Sequence, residues 1–356
     1  MAAKVTLVYS LRNSFVQRDI NLLEQLGYRV ETIASPPDKN PLKFFANRLR
    51  ECALSLRYLP QSEALVVWFS DYHSFVPLLI AKLLGRKSIL ILGGYDVVSD
   101  AENQYGLFYR SGIRRIMARQ NFKWVRQLWA VDESLLTGCP TAVVQNGIRS
   151  GLNTFAPDQL KKATTVPTAY DSSFWTKKNH KKVPKSILTV GLFTDKRVAI
   201  RKGVPLFLEL AGQCPDFRFT IVGEEYASLS SHFTFPPNVT LYPKASPQEL
   251  QKQFGTHQFY FQGSRVEGLP NVLCEAMLCE CIPIGRAVFG IPKAIGDTGF
   301  LFTSSNDFPA LIKFLRSVDT QKGIAARERM IELFSIAKRA AAFEKFLQTT
   351  DKNTHA

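Results

Sequence analysis

Two acids and a lysine carry the chemistry most legible in this sequence. The segment 259–276, FYFQGSRVEGLPNVLCEA, ends an apolar run, turns at Gly263-Ser264 and sets Glu267 and Glu275 with seven residues between them. Pro270 prevents one helix from carrying both carboxylates. Glu267 is therefore expected on the lip of a loop and Glu275 in the first turn of the following helix, with Asn271 as its N-cap. Beside them run the Gly268-Leu269-Pro270-Asn271 backbone and the positive helix terminus. Carboxylates accept from hydroxyls and N–H groups donate to oxygens, so such a site suits a ligand with many hydroxyls and a phosphate. The plainer alternatives are a solvated loop acid at Glu267 and macrodipole stabilisation at Glu275. Taken together, after this strand and at this spacing, they explain less.

Arg197, Arg201 and Lys202 follow the first strand of the C-terminal half, where a crevice should open. A cation held there would stabilise negative charge on a phosphate-bearing ligand, an effect worth ~2–4 kcal/mol by analogy with a single oxyanion donor. An exposed basic loop is the alternative. No Asp-x-Asp pair offers to hold a divalent metal, so no metal is expected. No Ser-His-Asp or Cys-His arrangement supplies an enzymic nucleophile.

The elements that must position these residues alternate along the whole chain. Val5–Tyr9, Ala64–Phe69, Ser88–Leu92, Leu128–Val131 and Ala142–Gln145 read as buried strands, with helical spacing over Val16–Leu26, Ser74–Leu84 and Leu107–Val125. The pattern restarts with strands at Ser186–Val190, Arg218–Val222, Val239–Tyr242, Gln258–Gln262 and Ile282–Gly285. Helices are expected at Val204–Gly212, Pro247–Phe254 and Val272–Leu278, and from Asp307 to about Gln348 with a break near Asp319–Gly323. Two such series imply an α/β protein of two doubly wound domains whose crevices lie at the strand carboxyl ends. The polar run TKKNHKKVPK, 176–185, reads as their linker. This gives domains 1–180 and 181–335, with 336–356 as a terminal helix and tail that is a candidate to pack back on the first domain.

The 356 residues carry 45 Lys+Arg against 30 Asp+Glu, a net charge of +15 spread as +9 over residues 1–180 and +6 over 181–356. No detachable basic tail explains the surplus, which asks for a polyanionic contact somewhere. Hydrophobic residues at 46% and charged residues at 21% exclude a largely disordered chain. Six cysteines are too sparse for a disulfide scaffold, and Cys279-Glu280-Cys281 is too close for a zinc pair, so reduced, buried thiols of a cytosolic protein are expected. The N-terminus lacks an apolar signal region, and no run reaches the length of a membrane span.

At this point the residues resemble a family. Glu267-Gly-Leu-Pro-Asn-Val-Leu-Cys-Glu275 is similar to the E-x7-E signature of retaining GT-B glycosyltransferases of family four. The following CIPIGRAVFGIPKAIGDTGFLF, Val190-Gly191…Arg201-Lys202-Gly203 and FTIVG ending at Gly223 look like further landmarks of its C-terminal domain. Gly93-Gly94-Tyr95-Asp96, Ala130–Ser134 and Pro167–Asp171 are similar to landmarks of its N-terminal domain. The resemblance implies two Rossmann-like domains facing a central cleft that closes over a UDP-, GDP- or ADP-linked sugar, with no other cofactor. It implies that Glu267 contacts the transferring sugar together with Gly268, Leu269, Pro270 and Asn271, that Glu275 accepts from the ribose hydroxyls, and that Lys202 sits on the pyrophosphate. Gly191, Gly223, Arg197, Arg201 and Arg265 join the donor side. Transfer would retain configuration, with the acceptor hydroxyl attacking the face that the diphosphate leaves.

The chain departs from the family at two places. Leu192 stands where an Arg usually follows the glycine, and Gly93-Gly94-Tyr95-Asp96 stands where many relatives carry a His. Asp96 is the first candidate for the acceptor-side catalytic residue and His73 the second, with Gly93, Gly94 and Tyr95 around them; a lone His after an apolar strand is also a common structural residue. A GT-B protein that has lost catalysis, or another GT-B chemistry such as sugar-nucleotide epimerisation, is the alternative; phosphorolysis would call for a pyridoxal phosphate lysine, which the sequence does not single out.

The surface suggests the acceptor. Residues 103–131 hold six bases and no acid, and residues 42–57 hold Lys43, Arg48, Arg50 and Arg57 against Glu51 alone, with aromatics interleaved in both. Such helices suit an anionic bilayer surface, and solvated helix faces are the bland alternative. No nucleic-acid motif accompanies them. The expectation is a cytoplasmic enzyme, peripheral on the inner face of the plasma membrane, acting on a cell-envelope saccharide or lipid-linked acceptor.

Overall fold

A computed structural model describes residues 2–38, 40–139, 147–224 and 227–349. Among these the chain divides into two compact units: one holds the residues up to 139, 147–169 and 336 onward, the other 170–335. The expected strand at Ala142–Gln145 lies outside the described residues.

The first unit is built on a six-stranded sheet: β1 (Lys4–Tyr9), β2 (Arg29–Ala34), β3 (Ala64–Trp68), β4 (Lys87–Leu92), β5 (Gln127–Ala130) and β6 (Ala163–Thr165), in the order β2-β1-β3-β4-β5-β6. Every pairing in it is parallel. β3, ALVVW, is buried throughout because helices cover both faces of a parallel sheet. Those helices include α1 (Ser14–Gln25), α2 (Pro41–Tyr58), α3 (Tyr72–Leu83) and α4 (Ile113–Trp124). The helix expected from Leu107 begins only at Ile113. Gly112, at φ 131°, interrupts it, and Leu107 and Phe108 bond instead to the carbonyls of Tyr95 and Val98.

The second unit restarts the pattern with β7 (Val183–Phe193), β8 (Arg218–Glu224), β9 (Val239–Pro243), β10 (His257–Gln262), β11 (Ile282–Arg286) and β12 (Phe300–Phe302). The order β9-β8-β7-β10-β11-β12 is again parallel throughout. Counted within the unit this is 3-2-1-4-5-6, the dinucleotide-fold order, whose direction reverses between β7 and β10. Its helices include α5 (Lys196–Lys202), α6 (Val204–Gln213), α7 (Pro247–Thr256), α8 (Asn271–Leu278), α9 (Phe308–Ser317) and α10 (Gln321–Leu333). Phenylalanines fill its core, among them Phe261 and Phe302, stacked at 5.3 Å.

The basic run at 176–185, expected as a linker, lies inside this unit. Lys177 Nζ meets Glu280 Oε2 at 2.5 Å, and Lys182 Nζ donates to the carbonyls of Phe254 and Cys279 at 2.6 and 2.8 Å. Lys182 thus serves two helix C-termini, where carbonyls gather negative charge. All six cysteines are free, and burial pushes the Cys279 and Cys281 thiols up, away from the reactive thiolate.

The last helix, α11 (Ile336–Gln348), belongs to the first unit. Its Arg339, almost fully buried, clasps Asp19 of α1 through two bonds of 2.5 and 2.6 Å and donates to the Val166 and Pro167 carbonyls. Phe343 packs on Trp129 of β5 at 5.1 Å.

Candidate functional site

In the second unit the expected site residues gather at the carboxyl ends of β7, β8, β10 and β11. Leaving β7, the chain reaches Asp195, whose carboxylate accepts from the N–H groups of Arg197 and Val198 at 2.8 and 3.0 Å and starts α5. The expected basic loop is therefore a short helix, with Arg201 and Lys202 in its last turn beside the carbonyl end. Gly203 then ends it in the left-handed region, at φ 87°. A Cβ at that position would stand 2.2 Å from the Gly263 carbonyl oxygen, so only glycine lets the end of α5 rest on the loop after β10. Arg265 N–H donates to the Arg201 carbonyl at 2.8 Å and completes the junction.

This junction brings the two principal residues together. Lys202 Nζ lies 2.8 Å from Glu267 Oε2 and 3.0 Å from Oε1, both side chains being partly exposed. Beneath the loop, Tyr260 hydroxyl donates to Gln262 Oε1, and Gln262 Nε2 to Ser264 Oγ, forming a buried polar brace. Burial pushes the Tyr260 phenol well up, and the Glu267 and Glu275 carboxylates push it further. One buried phenol thus feels both acids. Gly268, Leu269 and Pro270 are buried, and the Gly268 carbonyl is anchored by the Gly290 N–H at 3.0 Å.

Two details differ from the sequence reading. Asn271 is the first residue of α8 rather than its cap, because the extended Pro270 occupies the cap position. Glu275 consequently falls in the second turn, where it is buried against the unit.

Gly191 lies near the end of β7, and Gly223, at φ 109°, near the end of β8. A Cβ on Gly223 would meet the Gly191 carbonyl oxygen at 2.0 Å, so the two strand ends touch backbone to backbone. Leu192 is solvent-exposed at the position where an arginine was expected. Sequence reasoning missed Arg286 at the end of β11. Burial works against its charge and the neighbouring Arg265 guanidinium adds to that, which places two arginines close together on this edge. A basic residue ending a central strand was the available signal. Arg197 lies exposed near the start of α5.

The first unit presents a separate polar cluster. Asp96 is fully buried and its carboxylate accepts from the N–H groups of Ser70, Gly93 and Gly94 at 3.1–3.3 Å. Burial nevertheless holds its pKa up, at about 7. These bonds tie the Asp96 carboxyl to the loops after β3 and β4. His73 is also buried, with Nε2 2.9 Å from the Trp68 carbonyl and its pKa lowered by burial, the geometry of a structural histidine. Gly93 lies under the Phe69 ring, whereas Tyr95 is half-buried and its pKa is raised by burial to about 12.

More accessible is Arg114 of α4, which pairs with Asp71, the N-cap of α3, through Nε at 2.6 Å and through Nη2. Burial opposes the arginine's charge, but the Asp71 carboxylate outweighs it and raises the pKa. The guanidinium lies over the Tyr72 and Tyr95 rings at 5.3 and 5.6 Å. In the sequence, Arg114 reads only as part of a basic face.

Comparison with known proteins agrees with this architecture. The fold is that of the GT-B glycosyltransferases, two Rossmann-like units each on a parallel sheet. Residues 174–332 match the family of glycosyl transferases group 1, a stretch that contains every expected donor-side residue. Sucrose-phosphate synthase from Thermosynechococcus elongatus superposes with a TM-score of 0.70 at 15% identity, over 96% of this chain and 98% of that one. The catalytic domain of starch synthase IV from Arabidopsis thaliana, bound to ADP and acarbose, gives 0.69 at 12% identity, over 97% and 98%. The Anabaena protein Alr3699/HepE in complex with UDP gives 0.69 at 12% identity, over 98% and 100%. No curated protein sequence matches the chain.

Proposed function

We propose that this protein is a retaining, metal-independent glycosyltransferase that moves a sugar from a nucleotide-activated donor to an acceptor hydroxyl. The observation that carries this reading is the Lys202–Glu267 contact at the point where the second sheet reverses direction, with Glu275 buried in the helix that follows the Glu267 loop. The group 1 match over 174–332 supports it, as do neighbours solved with UDP, UDP-glucose or ADP.

In this reading the diphosphate occupies the space beside Lys202, whose ammonium is then shared between Glu267 and the phosphate oxygens. As the sugar–phosphate bond breaks, its electron pair stays on the diphosphate, and Lys202 stabilises the charge. Arg265 and Arg286 add positive potential on the same edge. The acceptor hydroxyl attacks the anomeric carbon from the face being vacated, and its proton passes to a donor phosphate oxygen. Glu267 orients the sugar by accepting from its hydroxyls, and Glu275 accepts from the ribose. The acceptor belongs to a cell-envelope glycan or lipid-linked class, reached from the cytoplasmic face of the membrane.

A screen of UDP-, GDP- and ADP-sugars by thermal shift tests the reading, since a ligand at 100 times its Kd stabilises the fold by ~2.7 kcal/mol. Glu275→Ala should lose nucleotide affinity. Glu267→Ala should keep the affinity and abolish acceptor-dependent nucleotide release. If no nucleotide sugar shifts the melting curve, the reading is wrong. Exposed Leu192, in place of the usual arginine, favours a second reading, a sugar-nucleotide-binding protein without transfer. Binding without nucleotide release in the presence of acceptors would establish that one instead.

A further inference from the structure

Helix α2 is built inside out. The fully buried side chains it contributes are Glu51 and Ser55. Glu51 is paired with Arg48 at 2.6 Å, and Arg48 in turn donates to Ser35 Oγ at 2.5 Å. Burial holds the Glu51 carboxyl up at about 7 despite that partner. Meanwhile Leu42, Phe45, Leu49 and Leu56 are 80, 66, 74 and 59% exposed. Spacings of three, four and seven put these four on one stripe. Lys43, Arg50 and Arg57, each one position further on and each exposed, flank the stripe as a parallel basic row. No acid is exposed anywhere on the helix. A surface helix normally places its apolar residues inward, and this one spends its inner face on an ion pair and keeps three of its four leucines outside.

The neighbouring elements extend the pattern. The Phe44 ring meets Tyr72 at the start of α3 at 5.2 Å, and Arg114 at the start of α4 lies over the same tyrosine. At that end of α4, Ile113 and Ile116 are 67% exposed among Arg110, Arg114 and Arg115.

We infer that the outer face of α2, continued by the start of α4, docks the protein on an anionic bilayer surface. The leucines and Phe45 enter the acyl–headgroup boundary while Lys43, Arg50 and Arg57 meet lipid phosphates. Charge complementarity selects this occupant. A second copy of the chain would set one basic row against another with no acid to pair them. A nucleic acid would give the three leucines nothing to pack on. No described helix is long and apolar enough to cross a membrane, so the contact is peripheral. The inference stands apart from the transferase reading, because vesicle binding is measured without donor or acceptor.

Flotation of the full chain with vesicles of phosphatidylglycerol and phosphatidylcholine, against phosphatidylcholine alone, tests it. Binding should require the anionic lipid and weaken with salt. The triple variant Lys43→Gln/Arg50→Gln/Arg57→Gln should lose about fivefold in partitioning per charge removed. Leu42→Gln/Phe45→Gln/Leu49→Gln should lose tenfold or more with its thermal unfolding unchanged, since these side chains cover no core. Equal recovery with neutral and anionic vesicles, or variants that float as the parent does, would overturn the inference. So would a concentration-dependent dimer in sedimentation velocity that the apolar variant abolishes, because the stripe would then be a self-interface.

Discussion

At the residue scale, the decisive feature is that a lysine and a glutamate 65 positions apart hold each other. Each was singled out for a different partner, diphosphate for Lys202 and sugar for Glu267. In the proposed transferase, the diphosphate would share with Glu267 an ammonium that this pairing already neutralises. Lys202→Met keeps the aliphatic stem and removes the charge. It should lower kcat/KM for transfer by ~100- to 1,000-fold, the loss expected for one transition-state donor. Steady-state kinetics on a variant with unchanged near-UV circular dichroism is the measurement, and parental activity would remove Lys202 from the mechanism. The acceptor side shows the opposite outcome. Asp96 and His73 are residue types that do chemistry, yet one is wrapped in backbone N–H groups and the other is bonded to a strand carbonyl. Burial of this kind is not written in the residue type.

At the element scale, the site depends on one close approach, that of Gly203 to Gly263. Gly203→Ala would combine a left-handed backbone position with a Cβ 2.2 Å from a carbonyl oxygen, so the end of α5 must move away from the loop after β10. Destabilisation of about 1–3 kcal/mol is expected, together with weaker nucleotide binding, because Lys202 moves with the helix end. Chemical denaturation beside nucleotide titration checks both; an affinity equal to the parent's would show that the junction does not position Lys202. The same scale explains which elements could be read in advance. β1, β3, β4, β5, β7, β8, β9, β10 and β11 are all legible as short apolar-rich runs. β2, RVETIA, hides because it lies at a sheet edge and alternates charged with apolar residues. β6 and β12 hide because three residues carry no period. The cap of α8 was misplaced by one residue because an extended proline took the position expected for asparagine.

At the scale of the whole chain, the first unit is closed by the last helix. Arg339 reaches Asp19 across 320 positions, with both side chains almost fully buried. Arg339→Met would leave the Asp19 carboxylate buried and uncompensated, a change that costs ~3–5 kcal/mol where a buried pair is broken on one side. The double variant Asp19→Leu/Arg339→Met should recover only part of that loss, because it removes the bare charge but leaves the Trp68 indole N–H and the Val166 and Pro167 carbonyls without their partners. Equilibrium unfolding of the two variants decides whether the clasp acts as a pair.

The sequence by itself determined the repeating strand–helix order, the positions of most strands, and the residue types able to hold a hydroxylated diphosphate. These are local properties: apolar runs, a proline that stops a helix, acids and bases next to predicted strand ends. Tertiary structure alone decided which loops become neighbours. Lys202 meets Glu267 because the second sheet runs 3-2-1-4-5-6, which sets β7 beside β10 although two strands intervene in the chain. It also decided that α2 turns three of its four leucines outward, since that depends on what the inner face has to meet. Adjacency in a sheet and the side of a helix that faces the core are set by the energy of the packed whole, to which no single segment holds the answer.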